Sequence, residues 1–358
     1  MKLKSLLPAV LCLVTAACSS GDRYIAISGY AQGGTYSVKL NLNGPDGRIR
    51  ESPDNIKKGI DSVLAAIDNS VSGYNKGSLL SRFNAGEKIV PDDIFRNIYK
   101  ASYKYYVESD GCFDVSCAPL FDIWGFGFTS DSLPSRDRIE EVMASVGMER
   151  LADTLVTDSE GFASPSSQLL ARESGNDPEI LPELNFNAIA QGYSCDLVAG
   201  YLHSLGVSQM LVDIGGEIYC EGLNPSGKPW GIGLDRPLDG NNVPGQDLQG
   251  IFRAGPEPCG VVTSGNYRKY YVRDGKKYAH TIDPRTGYPV THSLLCATII
   301  APDATEADAL ATYCMVIGLE ESKKFILSRP DLEGCLVYDE DGVLKTWTSD
   351  GLKFESLD

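Results

Sequence analysis

Apolar and polar residues alternate along several short stretches of the chain, which predicts β-strands. The first stretch covers residues 32–42, where Tyr36, Val38 and Leu40 alternate with polar neighbours. Other short apolar stretches predict strands at 210–214, 230–234, 259–263 and 295–300. Strand signals therefore recur from the start of the chain to about residue 300.

Apolar residues spaced three and four apart predict amphipathic helices as well. Ile56, Ile60 and Leu64 show this spacing within residues 56–67. The same pattern predicts helices at 93–107, 136–146 and 191–205. A last segment opens as a loop near residue 303 and is predicted to continue as a helix through Leu319.

Helical and strand signals are mixed along the chain without strict β-α-β alternation. This favours an α+β fold, with layered mixed sheets and packed helices, over a doubly wound sheet. No repeat or clean domain boundary stands out, so we expect a single large domain. Residues 164–182 and 238–250 are rich in polar and turn-forming residues and are predicted to be surface excursions.

The first residues have the pattern of an export signal. Lys2 and Lys4 precede an apolar run over residues 6–14 that is too short to span a bilayer. The run ends in Thr15-Ala16-Ala17-Cys18, which resembles the lipobox of bacterial lipoproteins. We expect residues 1–17 to be the signal peptide, 18–28 a lipidated cysteine and tether, and 29–358 the folded domain. The alternative is an ordinary secretory signal with a chance cysteine at its cleavage site.

Charge and cysteine content exclude some classes of function. A formal net charge of −16 argues against nucleic-acid binding, because an acidic surface repels phosphates. An anionic ligand would need a metal ion or a cradle of backbone N–H groups. The chain has 10 cysteines with no Cys-x-x-Cys pair, so zinc-ribbon and thioredoxin-like chemistry are unsupported. Export makes disulfides possible without identifying any.

Three segments carry more polar and glycine residues than a core requires. Asp308 and Thr312 are four residues apart, so on a helix they share one face and offer two hard oxygens of the kind that Mg²⁺ accepts. Their spacing alone also fits residues that cap or decorate a helix end. Residues 184–196 are predicted to lead a strand into a helix through small residues, where backbone groups can approach a ligand or simply pack tightly.

The third segment contains a candidate general base. Residues 263–265 have the composition of a phosphate-contacting turn, and a hairpin-like Asp274-Gly275 follows. His280 then lies in a loop rich in Ser, Thr and Asp, where it could accept a proton or be satisfied by a backbone carbonyl.

Together these segments resemble the ApbE family of FAD:protein FMN transferases. The resemblance extends from about residue 33 to about residue 319, and its strength lies in the order of many short motifs. The matching stretches are Gly34-Thr35, Ser72-Gly73-Tyr74, 78–84, Phe113-Asp114, 119–120, 124–126, 188–193 with Asp196, 213–217, 263–267, 280–287 and 307–312.

The resemblance implies a role for individual residues. Asp308 and Thr312 match Mg²⁺ ligands, and Ala188 matches a third ligand position, where alanine can offer only its backbone oxygen. His280 matches the catalytic base. Positions that line the family's FAD site correspond here to Gly33, Tyr74, Trp124, Gly125, Phe126, Asn185, Gln191 and Ile282. Read alone, the three aromatic residues of that set could equally be core.

Two residues depart from the family pattern. Gly33 stands where the family often has Met, and Gln191 stands where Lys or Glu is common. A smaller contact on the adenine side and a missing charge could alter affinity for FAD. Neither departure removes the metal ligands or the base.

The implied reaction moves FMN from FAD to a threonine hydroxyl of an acceptor protein and releases AMP. The implied acceptors are exported or membrane redox subunits that carry a Ser/Thr-Gly-Ala-Thr-like motif, which an enzyme anchored at the periplasmic face of the inner membrane could reach. Three alternatives stay open: a metal-dependent FAD pyrophosphatase, a non-catalytic flavin-binding lipoprotein, and a surface lipoprotein without a cofactor.

Overall fold

The computed structural model describes residues 23–127, 133–150, 182–238, 245–266 and 278–357, and the backbone alone at 155–157, 163–165, 270–273 and 276–277. The predicted signal peptide and Cys18 lie outside these ranges. Most of the predicted excursion at 164–182 and residues 239–244 of the second one also lie outside them. In the described part, no helix is both long and apolar enough to cross a membrane.

Helices and strands alternate irregularly along the chain. The helices are α1 (Pro53–Val71), α2 (Leu79–Asn84), α3 (Asp93–Glu108), α4 (Ala118–Ile123), α5 (Arg136–Met143), α6 (Ala190–Ser204), α7 (Ala304–Ile317) and α8 (Leu319–Ser328). The strands are β1 (Tyr24–Ala31), β2 (Gly34–Asn41), β3 (Asn43–Gly44), β4 (Gly47–Arg48), β5 (Leu155–Thr157), β6 (Ala163–Pro165), β7 (Met210–Ile214), β8 (Glu217–Glu221), β9 (Trp230–Asp235), β10 (Leu248–Ala254), β11 (Cys259–Gly265), β12 (Tyr270–Arg273), β13 (Lys276–Ala279), β14 (Ile282–Asp283), β15 (Tyr288–Pro289), β16 (Leu294–Ala301), β17 (Glu333–Glu340), β18 (Val343–Thr348) and β19 (Phe354–Ser356).

An eight-stranded sheet forms the centre of the molecule, in the order β1-β2-β7-β8-β11-β16-β17-β18. Every neighbouring pair in it is antiparallel. A smaller sheet of order β19-β10-β9 shares an apolar cluster with the central sheet and packs against it. The predicted single domain of mixed sheets and helices is confirmed, and an antiparallel sheet is incompatible with the doubly wound alternative.

Helices α1, α6 and α7 pack against this sheet: α1 contacts β1, α6 contacts β7 and β8, and α7 contacts β11 and β16. In α1, the buried residues are Ile56, Ile60, Leu64 and Ile67, which is the face that the apolar spacing predicts. Ser52 caps α1, because its side chain accepts a hydrogen bond from the Asn55 N–H at 3.2 Å. Helix α7 is buried nearly all round over its first two turns, so it lies between the sheet and other helices.

Several predicted boundaries are wrong for local reasons. The strand predicted at 32–42 is the second half of a hairpin whose turn contains Gln32 and Gly33, and its first half begins ahead of the predicted domain start at residue 29. The helix predicted at 136–146 ends at Met143. The helix predicted to run through Leu319 stops at Gly318, whose φ of 79° is left-handed, and α8 starts afterwards.

Two segments also differ in type from their prediction. Residues 184–189 form an extended loop and turn instead of a strand, because Asn84 occupies both backbone groups of Leu184 with its side-chain amide. Residues 263–265 are the end of β11 and not a turn. The hairpin predicted at Asp274-Gly275 is supported by the pairing of Arg273 with Lys276, although the two turn residues lie outside the described ranges.

Candidate active site

A cavity of about 340 Å³ opens where the sheet, α6 and α7 meet. Its wall includes Asp308 and Thr312 from α7, Ala188 from the turn before α6, Ser264 from β11 and His280 from the loop after β13. The structure therefore brings together all the residues predicted as metal ligands and as base, although they are up to 124 positions apart in sequence.

Close packing of α6 and α7 builds one side of this cavity. A Cβ on Gly192 would lie 2.1 Å from the Ala304 carbonyl oxygen and 2.7 Å from Asp308 Cβ. A Cβ on Gly260 of β11 would lie 2.3 Å from Ala304 Cα. Because only glycine fits at either position, both contacts bring the backbone of α7 close to its neighbours and hold Asp308 at the cavity wall.

Asp308 is a buried carboxylate in the interior of α7. Its side chain is 4% exposed, and its Oδ2 accepts a hydrogen bond from the Gly192 N–H at 3.0 Å. Burial raises the pKa of Asp308 to about 7, and the neighbouring Asp196 adds to the rise. The capping alternative for Asp308 is wrong, because Asp303 caps this helix by accepting from the Glu306 N–H at 2.7 Å.

The start of α6 also bears on Ala188. The helical hydrogen bonds of α6 begin with the Tyr193 N–H, which donates to the Ile189 carbonyl at 3.0 Å. The Gly192 N–H is therefore one of the donors that a helix start leaves without a partner in the helix, and Asp308 accepts from it. Ala188 precedes the helix and lines the cavity, so its carbonyl is not part of the helical ladder. One turn further along α7, the Thr312 hydroxyl oxygen lies 3.3 Å from that of Ser264.

The oxygens of Asp308, Thr312 and Ala188 are hard donors of the type that Mg²⁺ prefers. No group of three or more His, Cys, Asp or Glu side chains in the described ranges could hold a metal ion by itself. A set with one acidic side chain would leave coordination positions to water or to substrate phosphate. These donors therefore fit a Mg²⁺ site that is completed by water or substrate better than a structural site in which the protein supplies every ligand.

Asp196 holds the start of α7 against α6. Its carboxylate accepts hydrogen bonds from the Ala304 N–H at 2.9 Å, from the Thr305 N–H at 2.8 Å and from the Thr305 hydroxyl. Burial raises the pKa of Asp196 to about 6, and the nearby Asp303 contributes. The sequence singled out Asp196 only as part of a motif, and the structure gives it the role of positioning α7.

His280 also lines the cavity and is half-buried. Its ring centroid is 6.4 Å from that of Phe126, with the planes at 69°. The next residue, Thr281, donates its hydroxyl proton to the Asn266 side chain at 2.6 Å, and its carbonyl accepts from the Val290 N–H at 3.0 Å. These bonds fix the backbone that carries His280.

Four residues of the predicted FAD set besides Phe126 line the same cavity. Tyr74 lies at its rim and is 68% exposed, so the core alternative for this residue is wrong. Ile282 is buried in the wall. Asn185 uses its side-chain oxygen to accept from the Asn187 N–H at 2.8 Å. Gln191 directs its amide nitrogen towards the tight turn at Gly215.

Trp124, Gly125 and Gly33 are not brought to the described cavity wall. The Trp124 side chain is buried in an apolar cluster with Leu120 and Ile139, and its indole N–H donates to the Gly287 carbonyl at 2.8 Å. In this position Trp124 supports the loop that follows His280. Gly125 and Gly33 adopt left-handed φ values of 76° and 79° in turns. Contact between flavin and these three residues stays a prediction.

Other cavity residues were not predicted as site residues. Glu217 was recognised only as the end of a motif, and Cys112, Phe121 and Asn187 were not singled out individually. A cysteine or phenylalanine in an apolar stretch has the sequence pattern of a core residue, so only the tertiary structure reveals its place in the wall.

Known proteins share both the sequence and the fold. The ApbE family matches residues 33–336. The FAD:protein FMN transferase of Escherichia coli is 33% identical over 305 residues, covering 83% of this chain and 81% of the relative. The FAD:protein FMN transferase of Haemophilus influenzae is 30% identical over 357 residues, covering 98% and 97%.

Solved structures agree with these relatives. The flavin transferase ApbE from Vibrio cholerae superposes with a TM-score of 0.72 at 28% identity, over 92% of this chain and 98% of that one. The apo flavinyl transferase ApbE of Pseudomonas stutzeri gives a TM-score of 0.74 at 31% identity, over 92% and 95%.

Proposed function

The chain belongs to the ApbE family, and we propose from this membership and from the cavity that it transfers FMN from FAD to protein with the help of Mg²⁺. It is a transferase that uses FAD as its substrate. One observation carries the finer proposal: Asp308, Thr312, Ala188 and His280 all line a single cavity.

The charge of the cavity supports a role for a cation. FAD carries an anionic pyrophosphate, and the whole chain has a formal net charge of −16. Among the described residues that line the cavity, none is Lys or Arg, whereas Asp114, Glu217 and Asp308 are acidic. A pyrophosphate placed there needs positive charge from elsewhere, and a bound divalent ion would supply it.

Different residues of the chain would take different roles in the reaction. The threonine oxygen of the acceptor forms a bond to the FMN-side phosphorus, the bridging phosphorus–oxygen bond breaks, and AMP leaves. His280 would take the hydroxyl proton. Asp308, Thr312 and the Ala188 carbonyl would hold Mg²⁺, which neutralises charge on the phosphate oxygens when bound.

A peptide assay separates the transferase from its alternatives. The full chain is incubated with FAD, Mg²⁺ and a peptide that carries a Ser/Thr-Gly-Ala-Thr-like motif, and the peptide mass is measured together with released AMP. A transferase adds FMN to the peptide and releases AMP in equal amount. A pyrophosphatase releases FMN and AMP without changing the peptide, and a flavin-binding lipoprotein does neither. A matched peptide with valine for the acceptor threonine should stay unmodified.

Tyr74 is proposed to contact the flavin from the rim of the cavity. Replacing Tyr74 with Ala removes a ring that is already solvent-exposed, so the fold should tolerate it. We expect FAD to bind about 10-fold more weakly, which is the size of a lost aromatic stacking contact. Quenching of flavin fluorescence during titration measures this, and Tyr74→Phe should bind nearly as well as the unmodified chain. Equal FAD affinity for the alanine variant would exclude the contact.

The proposed location is the periplasmic face of the inner membrane, reached through a lipid on Cys18. This rests on the sequence alone, since residues 1–22 are outside the described ranges. We expect Cys18→Ser to block maturation, so that the precursor keeps its signal peptide and gains no lipid. Intact mass and detergent partitioning measure both. Normal processing and membrane retention of the variant would contradict the lipobox assignment.

A further inference from the structure

Two cysteines face each other across neighbouring strands of the central sheet, away from the cavity. Cys220 in β8 and Cys259 in β11 are direct partners in the antiparallel register. Their sulfur atoms are 3.6 Å apart. Directly opposed residues in antiparallel strands have Cα atoms about 4.5–5.5 Å apart, which lies within the roughly 4.4–6.8 Å window of disulfides. A side-chain rotation could therefore join them without moving the backbone.

The pair lies at the two ends of a long connecting segment of the chain, residues 221–258. Cys220 and Cys259 are 39 positions apart, and the intervening segment carries β9 and β10 of the small sheet. Next to the pair, the Gly222 N–H donates to the Pro256 carbonyl at 2.7 Å. A covalent bond between the two cysteines would close this connecting segment into a loop and reduce the conformational freedom of the unfolded chain.

We propose that Cys220 and Cys259 form a cross-strand disulfide when the protein meets a disulfide oxidant. The disulfide would hold together the two ends of the connecting segment, residues 221–258. An exported protein would meet such an oxidant outside the cytoplasm, but the chemistry of the pair does not depend on the transferase activity.

The two thiols differ in a way that sets the order of events. Cys220 is fully buried, whereas Cys259 is partly exposed. Either thiol could donate to the other sulfur, and the hydrogen bond with Cys220 lowers the pKa of Cys259. The Cys259 thiolate can attack a small disulfide, such as oxidised glutathione, whose S–S bond breaks to release one thiol. Cys220 then loses its proton and attacks the Cys259 sulfur, which releases the second thiol, so two protein thiols are oxidised and one disulfide is reduced.

Two other cysteines on neighbouring strands provide a matched control. Cys296 lies opposite Val337, and Cys335 lies opposite Thr298, so they are offset by two positions on adjacent strands. Such diagonal residues are about 7–8 Å apart, which is at or beyond the limit for a disulfide. Both are buried like Cys220. They test whether any two buried cysteines on adjacent strands form a disulfide during oxidation, or only two that lie directly opposite each other.

The test uses the full chain without flavin, equilibrated with reduced or with oxidised glutathione, alkylated after unfolding and mapped by mass spectrometry. We expect oxidation to protect Cys220 and Cys259 from alkylation and to yield one joined peptide pair. Cys259→Ala should abolish the pair, whereas Cys296→Ala and Cys335→Ala should retain it. The oxidised chain should also unfold at a temperature about 5–10 °C higher than the reduced chain, and Cys259→Ala should lose this difference.

The proposal is overturned if both thiols remain fully alkylated in the oxidised folded chain. It is also overturned if the joined pair contains Cys296 or Cys335, or forms only when denaturant is present during oxidation. No step of this test uses FAD. Absence of the disulfide would therefore not contradict the proposed transferase activity, and absence of transferase activity would not change the interpretation of the disulfide test.

Discussion

Replacing Asp308 with Asn should abolish FMN transfer and any FAD hydrolysis together. Asparagine keeps an oxygen that can accept the Gly192 N–H, so the contact between α6 and α7 is retained while the charge is lost. Loss of the charged ligand from a catalytic ion should cost about 4 kcal/mol of transition-state stabilisation, or about 10³-fold in rate. Peptide mass and AMP release, measured over a range of Mg²⁺ concentrations, give both rates. Added Mg²⁺ should restore little.

Stability measurements distinguish this loss from misfolding. Without metal, the variant should unfold at the same or a higher temperature, because it no longer buries an uncompensated negative charge. Mg²⁺ with FAD should raise the unfolding temperature of the unmodified chain more than that of Asp308→Asn, since a ligand stabilises the state it binds. A variant that transfers FMN at an undiminished rate without added metal would refute the ligand assignment.

Local patterns in the sequence were sufficient for most elements of the fold. Ile56, Ile60 and Leu64 repeat at helical spacing because one face of α1 must reach the core, and the structure buries that face. Predictions failed where tertiary contacts override a local pattern. Residues 184–189 have strand-like composition, but the Asn84 side chain binds the backbone of Leu184 across 100 positions of sequence. No local rule contains that partner.

The candidate site shows the same division. Motif order linked Asp308, Thr312, Ala188 and His280, and the fold places all four around one cavity. Spacing could not reveal that the Gly192 N–H, in the first turn of α6, donates to Asp308 of α7. Nor could the motif reveal that the Trp124 indole N–H donates to the Gly287 carbonyl, because an aromatic residue in a motif can support a loop from the core as well as contact a ligand.

Replacing His280 with Ala should slow FMN transfer without preventing FAD binding. The ring contacts Phe126 edge-on at the cavity wall, whereas the backbone around it is fixed through Thr281, so truncation should leave the loop in place. A positioned general base usually contributes about 10²- to 10⁴-fold, and we expect a loss of that size in the rate of transfer to the peptide. His203→Ala is the matched control. His203 lies on α6, its Nε2 is 2.6 Å from Oε2 of Glu221 in β8, and it is not among the residues that line the cavity.

The pH dependence separates a base from a residue that only shapes the cavity. A base accepts a proton only in its neutral form, so transfer by the unmodified chain should rise with pH as the imidazole loses its proton. His280→Ala should lose this rise, whereas His203→Ala should keep it. Flavin fluorescence should give similar FAD affinities for all three proteins in the presence of Mg²⁺. If His280→Ala transferred FMN as fast as the unmodified chain, or kept the same pH profile at a lower rate, His280 would not be the base and another group at the cavity would have to take the hydroxyl proton.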